Sequence, residues 1–425
     1  MTRPAIRPHG PGAMDARAAT DRAAGGQVES TYAWLRRAAS TGIGTVGCVG
    51  MWYYVVALPA VQADLGGTRA EASLPFTAAM LGFGVGCILL GRLVDRFGIV
   101  VPIAAAAVLL GLGYVAAGFS ANLWQLALAH AALIGFGSSA AFGPLVADLS
   151  HWFSRRRGLA VAICSCGNYL SGVIWPPIIQ HFIATDGWRT AHIYMGLVCI
   201  AAILPLTLVL RRPAPMGARI ADGAAALEAR DAVGLSPNAL QALVAVTGLA
   251  CCVAMAMPQV HIVAYCGDLG YGPARGAEML ALMLGFGIPS RLVCGVIADR
   301  IGGVATLLIS SALQAVALAL YLGFDSLASL FVISALFGLF QGGLVPTYAI
   351  IVREYFAPAQ AATRLGVVLM STTIGMALGG WMSGAIFDLT GSYHAAFANG
   401  LVWNFLNIGI ALWIILRRER RLAVA

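Results

Sequence analysis

Twelve long apolar runs, each followed by a short polar turn, constrain this chain more than any other feature of its sequence. Each run is 19 to 28 residues long, near residues 41–62, 72–94, 99–118, 123–147, 158–182, 190–210, 238–265, 276–298, 304–322, 327–351, 364–387 and 394–416. About 20 apolar residues cross the hydrocarbon of a bilayer as a helix. The sequence therefore predicts an all-α membrane protein with twelve transmembrane helices.

The composition excludes several classes of protein. Of the 425 residues, 60% are hydrophobic and 10% are charged, whereas a soluble domain carries about 25% charged residues. Soluble enzymes and single-span anchors do not fit, and we expect the lipid bilayer to surround the chain. The sequence holds no nucleophile motif, cofactor loop or Cys/His metal spacing. We therefore expect no enzyme, no catalytic residue, no cofactor and no metal.

All 26 basic residues are arginine, and the formal net charge is +8. They lie at the ends of the apolar runs and form no basic stripe, so we expect no nucleic-acid partner. With the N-terminus in the cytoplasm, 22 arginines lie at cytoplasmic ends and loops, three lie outside (Arg69, Arg189 and Arg275), and Arg291 lies inside a span. Because cytoplasmic loops are rich in positive charge, we expect both termini to be cytoplasmic.

The polar segments divide the chain into five parts. We expect a disordered cytoplasmic N-terminal tail at 1–40, an N-terminal six-helix bundle at 41–210 and a cytoplasmic linker at 211–237. A C-terminal six-helix bundle at 238–416 and a cytoplasmic C-terminal tail at 417–425 follow.

The two halves repeat each other. GRLVDRFG at 91–98 recurs as GVIADRIG at 295–302, an offset of 204, and residues 135–153 align with 338–356 at an offset of 203. Parallel repeats of this kind are typical of transporters whose two bundles rock around a central site. The charged residues of the repeated motif stand at cytoplasmic helix ends, where we expect gating contacts: Asp95, Arg96, Asp299 and Arg300.

These motifs resemble the loop motif of the major facilitator superfamily, and the resemblance runs from Thr41 to Arg421. Within that superfamily the chain resembles the monocarboxylate and oxalate/formate transporter group, in the stretches 151–172, 186–192, 258–270 and 289–302. The resemblance implies a major facilitator fold, alternating access and a substrate-binding arginine in the eighth span. The chain departs from the group because it has no lysine and because Gly287 stands where some members carry an aspartate.

Arg291 is the strongest candidate for binding a substrate. A charge inside a span must face water, a partner or a ligand, and a guanidinium binds a carboxylate in a bidentate manner. Gly287 and Gly295 flank it one turn away on each side, so we expect an open cleft beside the guanidinium. The alternatives are a snorkelling side chain or an ion pair with another helix.

Six further residues are candidates for the substrate site. His261 follows Pro258 in the seventh span and could accept a coupling proton, or could be a hydrogen-bonded core histidine. The others are aromatic or neutral polar side chains at mid-depth, which could line a cavity or join helices: Tyr53, Tyr54, Asn168, Tyr169 and Gln341.

Together these features predict a secondary active transporter that moves a small, monocarboxylate-like organic anion by alternating access, with protons as coupling ion and uptake as direction. We expect a monomer in a bacterial cytoplasmic (inner) membrane. The alternatives are a carrier or exporter of another small organic solute, or a membrane receptor without transport activity on the same fold. A receptor would be expected to carry a folded soluble output domain, which the short tails do not suggest.

Overall fold

The computed structural model describes residues 29–149, 152–153, 157–212, 233–356 and 358–422. Within this part, eleven helical segments are long and apolar enough to cross a membrane. The longest helix, Arg157–Thr207, bends at Gly187, where φ is 81° and ψ is 160°, and it contains two spans. The described chain therefore crosses twelve times, and the predicted twelve-helix fold is confirmed.

We number the spans α1 to α12 in chain order. In the first half, α1 comprises Thr31–Gly47 and Val49–Leu65, α2 is Arg69–Phe97 and α3 is Val100–Gly118; α4 comprises Leu123–Ala129, the π-helical turn His130–Gly135, Phe136–Ser139 and Gly143–Leu149, and the two parts of Arg157–Thr207 are α5 and α6. In the second half, α7 is Pro237–Asp268, α8 is Pro273–Ile301 and α9 is Gly303–Gly323; α10 comprises Leu327–Gln341 and Leu344–Tyr355, α11 is Pro358–Thr390 and α12 is Tyr393–Leu422.

The two halves meet along three pairs of helices. Helices α1 to α6 pack mainly on one another, as do α7 to α12. Between the halves, α2 packs against α11, α5 against α8, and α1 against α7. Most of the predicted linker and of the N-terminal tail, residues 213–232 and 1–28, falls outside the described residues, so the predicted domain boundaries stay a prediction.

The helix α1 begins at Thr31, inside the segment that the sequence assigns to the N-terminal tail. Ser30 caps the helix by accepting a hydrogen bond from a backbone N–H. Arg36, fully buried, donates to the Asp148 carboxylate at 2.8 and 2.9 Å and to the Leu210 carbonyl at 3.0 Å. A charged residue that looks like part of a polar tail is thus held inside the fold, because its partners come from distant segments.

The last helix also reaches into a segment that the sequence assigns to a tail, since α12 extends to Leu422.

The repeated motif ends two corresponding helices in the same way, because Gly98 after α2 has a φ of 74° and Gly302 after α8 has a φ of 85°. Glycine adopts this left-handed conformation without steric cost, so each motif ends its helix sharply. The predicted duplication is therefore visible in the backbone.

The halves are joined at one face of the protein. The face at which helices α2 and α8 end is called the terminal face. The face at which the halves are joined lies on the other side, and we call it the opposite face. At the opposite face, the Arg69 guanidinium bonds both carboxylate oxygens of Asp268, at 3.0 and 3.1 Å. The Asp388 carboxylate accepts the backbone N–H groups of Arg69 and Ala70, at 2.8 and 2.7 Å. Asp388, near the end of α11, thus caps the N-terminus of α2, a favourable place for an anion.

Toward the terminal face the halves separate. Contacts between α2 and α11 include the bond from Thr77 to the Ala377 carbonyl, 3.1 Å, and the close approach of Gly84 to Met370. Near the terminal end of α2, a Cβ added to Gly91 would meet no atom within 4 Å. The described structure is therefore closed at the opposite face and open toward the terminal face.

We expect Asp388→Asn to loosen the closed face. The substitution removes the charge that caps α2, and a charged hydrogen bond is worth about 1.5 to 3 kcal/mol, so the ratio of the closed to the open population should fall about tenfold or more. A cysteine introduced at the buried Ser73, in a variant without native cysteines, should then react faster with a membrane-impermeant maleimide.

The matched control is Asp186→Asn, which removes an exposed carboxylate of the same face. The Asp186 side chain accepts a hydrogen bond from the neighbouring Thr185 hydroxyl, 2.8 Å, and its replacement should leave the labelling unchanged. Equal labelling of the Asp388 variant and the parent would show that the cap does not hold the face closed.

Candidate functional site

Arg291 of α8 lies at the junction of the halves. Its Nη1 donates to the Ser165 carbonyl of α5 at 2.9 Å. The guanidinium carbon stands 3.8 Å from the centre of the Tyr169 ring, a cation–π contact. Its Nε atom is buried and has no hydrogen-bond partner in the described structure. The arginine is thus held by neutral groups from the other half, with hydrogen-bonding capacity left over.

The Tyr169 ring fills the space that the sequence suggested was an open cleft at Gly287. A Cβ at Gly287 would lie 2.1 Å from the Tyr169 Cε1 atom, so the expectation of an open cleft on this side of Arg291 is wrong. The Tyr169 hydroxyl reaches the Gly342 carbonyl of α10 at 3.4 Å. On the other side, a Cβ at Gly295 would meet no atom within 4 Å. The space beside the guanidinium therefore lies toward Gly295 and the terminal face.

Asn168, next to Tyr169, connects this site to α1. Its side-chain oxygen and its backbone carbonyl accept the Trp52 indole N–H, at 3.0 and 3.2 Å. Trp52 is buried, and its role was not anticipated from the sequence. Asn168 thus fixes α5 to α1 and orients the ring of the next residue, Tyr169, beneath Arg291.

Gln341 is buried at the end of the first segment of α10, just before Gly342. Neither atom of its side-chain amide has a hydrogen-bond partner among the described residues. A buried amide without partners is unfavourable. Gln341 is therefore a polar group beside the α8–α10 contact that a ligand or water can satisfy.

His261 lies elsewhere, inside the second half. Its Nε2–H donates to the Gly380 carbonyl at 2.8 Å, and its Nδ1 accepts from the Tyr393 hydroxyl at 3.0 Å. A neutral imidazole has one donor and one acceptor, and both are used. The contacts match the alternative interpretation of His261, a hydrogen-bonded core histidine, and the structure does not bring it to Arg291.

Tyr53 and Tyr54 point into the first half rather than to Arg291. The Tyr54 hydroxyl donates to the Ala72 carbonyl at 2.7 Å, and its ring lies 5.0 Å from that of His130. The Tyr53 ring lies 4.2 Å from that of His192. Both tyrosines are fully buried among residues of their own half.

The predicted gating residues stand at the terminal face. Arg96, Asp299 and Arg300 are exposed. Asp95 belongs to α2, but its side chain is outside the described part of the structure. Because the halves are apart at this face, a gating role for these residues stays a prediction for the other conformation.

The sequence pattern missed Arg69, Asp268 and Asp388. Asp268 and Asp388 are acidic residues at or near the last residue of α7 and of α11. Arg69 is the first residue of α2 and follows a short turn. An acid near the last residue of a long apolar run is the one signal that could have found Asp268 and Asp388. Their pairing across the halves has no sequence signal.

Chemically, the site offers one uncompensated cation and neutral polar groups, with open space beside Gly295. Among the described residues, the ion pairs include none that involves Arg291. A guanidinium with free N–H groups fits a carboxylate. No group of three or more His, Cys, Asp or Glu residues in the described part could hold a metal ion.

Comparison with known proteins agrees with this architecture. The family model described as Major Facilitator Superfamily matches residues 42–320 and 279–424. Monocarboxylate transporter 13 of Bos taurus is 30% identical over 332 residues, covering 77% of this chain and 75% of that protein. Monocarboxylate transporter 11 of Homo sapiens is 30% identical over 317 residues, covering 71% of this chain and 66% of that protein.

A solved structure shares the fold. It is a bacterial homolog of the human lysosomal transporter Spinster, in an inward-facing and occupied conformation, and it superposes with a TM-score of 0.66 at 14% sequence identity. The match covers 93% of this chain and 97% of that chain.

We expect Gly287→Ala to disturb the site. The new Cβ would overlap the Tyr169 ring, and overpacking of this kind costs about 1 to 3 kcal/mol. The Tyr169 ring must move, and Arg291 loses its stacking partner. Thermal unfolding of the purified protein and anion exchange in proteoliposomes should both be impaired.

Gly285→Ala is the matched control on the same helix. A Cβ there would lie 3.6 Å from Val173, an ordinary contact, so unfolding and exchange should stay close to those of the parent. If Gly287→Ala also behaves like the parent, the Tyr169 ring is not held as the structure has it.

Proposed function

The chain belongs to the major facilitator superfamily of transporters, and from this premise we propose that it carries a small, monocarboxylate-like organic anion by alternating access, coupled to protons and in the direction of uptake. The family is one of carriers rather than enzymes, so the substrate is moved and not converted. The relatives from Bos taurus and Homo sapiens support the class of substrate, since both are named monocarboxylate transporters.

The observation that carries this proposal is the state of Arg291. Its charge is stacked on Tyr169 and bonded to the Ser165 carbonyl, and no carboxylate of the described part neutralises it. A charge inside a membrane-spanning helix without a counter-ion is costly, even where the side chain is only partly buried. A carboxylate arriving through the open side satisfies that charge, and Gln341 supplies further hydrogen bonds.

The position of the site suits alternating access. Arg291 and Tyr169 belong to different halves, so a bound anion touches both. The Arg69–Asp268 pair and the Asp388 cap close the opposite face, so the substrate of this conformation exchanges with the terminal face only. Because the site is complete within one chain, we propose that the protein acts as a monomer.

We propose that the terminal face is cytoplasmic, on the strength of the arginine distribution in the sequence. The conformation is then inward-open. The bacterial inner membrane stays a prediction, and the two relatives named above are mammalian.

We expect substitutions of Arg291 to act on anion binding. Arg291→Lys keeps the charge but loses the planar two-point geometry, and should weaken carboxylate binding by about 1.5 to 3 kcal/mol. Arg291→Ala should abolish exchange. Counterflow in proteoliposomes with lactate, pyruvate, formate, oxalate and aromatic acids both measures this loss and identifies the substrate.

Arg275→Ala is the control, because Arg275 is exposed at the opposite face and pairs with Glu278 at 2.8 Å. It should exchange anions like the parent. Normal counterflow by Arg291→Ala would overturn the proposal. A variant that fails only because it unfolds would assign Arg291 a structural role instead, and a thermal unfolding measurement separates the two results.

A further inference from the structure

Two histidines lie together inside the first half. His130 of α4 and His192 of α6 are fully buried, and their ring centres are 5.7 Å apart with an interplanar angle of 87°. His130 begins the π-helical turn His130–Gly135. Turns of this type insert an extra residue into an α-helix and are frequent at functional sites.

The ring nitrogens of this pair lack partners. His192 Nδ1 lies 2.7 Å from the Trp188 carbonyl, and because a carbonyl only accepts, Nδ1 carries the hydrogen. Nε2 of His192 is then an acceptor, and it is buried with no partner in the described structure. Both ring nitrogens of His130 and the Tyr114 hydroxyl are buried without partners in the same way. Four polar atoms in one cluster are thus unsatisfied, which is unfavourable unless something binds there.

Aromatic rings surround the two imidazoles. The Tyr53 ring lies 4.2 Å from that of His192 and the Trp188 ring 5.4 Å from it, and the Tyr54 ring lies 5.0 Å from that of His130. Tyr114 stands 6.0 Å from His192. The electron-rich faces of aromatic rings attract cations and form the walls of many cation sites. These ring faces therefore offset part of the cost of placing a positive charge in this buried cluster.

We propose that His130 and His192 form one site that binds a single proton. A hydronium ion of the aqueous phase gives up the proton and becomes water, and the proton adds to Nε2 of His192, forming an N–H bond that donates to an unprotonated nitrogen of His130. Before the proton binds, Nε2 of His192 and this nitrogen of His130 are both acceptors without a donor. Afterwards Nε2 of His192 is the donor and the nitrogen of His130 is its acceptor. The use of this proton for coupling rests on the proposed function.

The groups that face the pair are neutral or already paired. They are Tyr53 and Tyr54 of α1, Tyr114 of α3, and Trp188, Arg189 and Cys199 of α6. Arg189 pairs with the Asp64 carboxylate, which also accepts the Trp188 indole N–H at 3.1 Å. Asp64 thus offsets the charge of Arg189, which would otherwise oppose a proton on His192.

The proton site and the anion site share one segment of α1. Tyr53 and Tyr54 contact the histidines, and Trp52 beside them bonds to Asn168. Asn168 adjoins Tyr169, on which Arg291 stacks. This is a continuous chain of packed residues through which each site can bias the same movement of α1.

Histidine-selective ¹⁵N NMR of the full-length protein in detergent tests the proton site without any substrate. As the pH is lowered, several of the seven histidines gain an imidazolium signal, and one such signal of the parent should be missing from both His130→Gln and His192→Gln. His394→Gln is the control, because His394 is exposed and faces Asp325 at 3.1 Å. If both buried histidines stay neutral throughout, or if His192 titrates unchanged in His130→Gln, the shared site is overturned.

Coupling is tested separately in proteoliposomes with radiolabelled lactate. An anion carried with one proton accumulates about tenfold per unit of pH difference. His130→Gln should keep lactate exchange at equal pH and lose this accumulation, and pH-driven accumulation in both histidine variants would overturn the coupling role. Absence of lactate exchange in the parent would count against the proposed function for lactate, while the NMR result would still decide the proton site.

Discussion

The positive charge of Arg291 inside an apolar helix bundle is the constraint on which the rest of the site depends. Its described contacts, the Tyr169 ring and the Ser165 carbonyl, are neutral. A charge held in this way needs access to water or to an anion. The open space beside Gly295, one turn away on α8, is consistent with that need. The contact with Tyr169 also explains why Gly287 is small, since the ring that supports the guanidinium occupies the place of a side chain.

The pair α2 and α11 shows how such a site can be exposed to one face at a time. The helices are antiparallel, and Asp388 stands two residues before Thr390, the last residue of α11, where it caps the start of α2. In the sequence, Asp95 stands two residues before Phe97, the last residue of α2. Each helix therefore carries an aspartate two residues before its last residue. A rocking movement that separates Asp388 from the N-terminus of α2 would bring Asp95 toward the N-terminus of α11.

The sequence predicted the parts of this structure that depend on length and repetition. Twelve spans follow from hydropathy, and the shared ends of α2 and α8 follow from the repeated motif. It could not predict which face of an apolar helix turns inward, because lipid and protein interior are equally apolar. For that reason the sequence leaves open whether Tyr53, Tyr54 and His261 line a central cavity or pack inside the protein, and their contacts in the structure lie within single halves. Arg36 was placed in a tail, since its buried partners are far away in sequence.

Charge arithmetic connects the two proposed sites. An empty carrier has the positive charge of Arg291 at the junction of the halves and a neutral histidine pair in the first half. An anion alone cancels the charge of Arg291. The loaded form would then move one positive charge fewer through the membrane than the empty form. A proton on His130 and His192 restores the total, so that carriers with both ligands and carriers with neither move equal charge through the membrane. In this proposal the effects of the membrane voltage on the two steps cancel over one transport cycle, and the gradients of the proton and the anion together set the direction of transport.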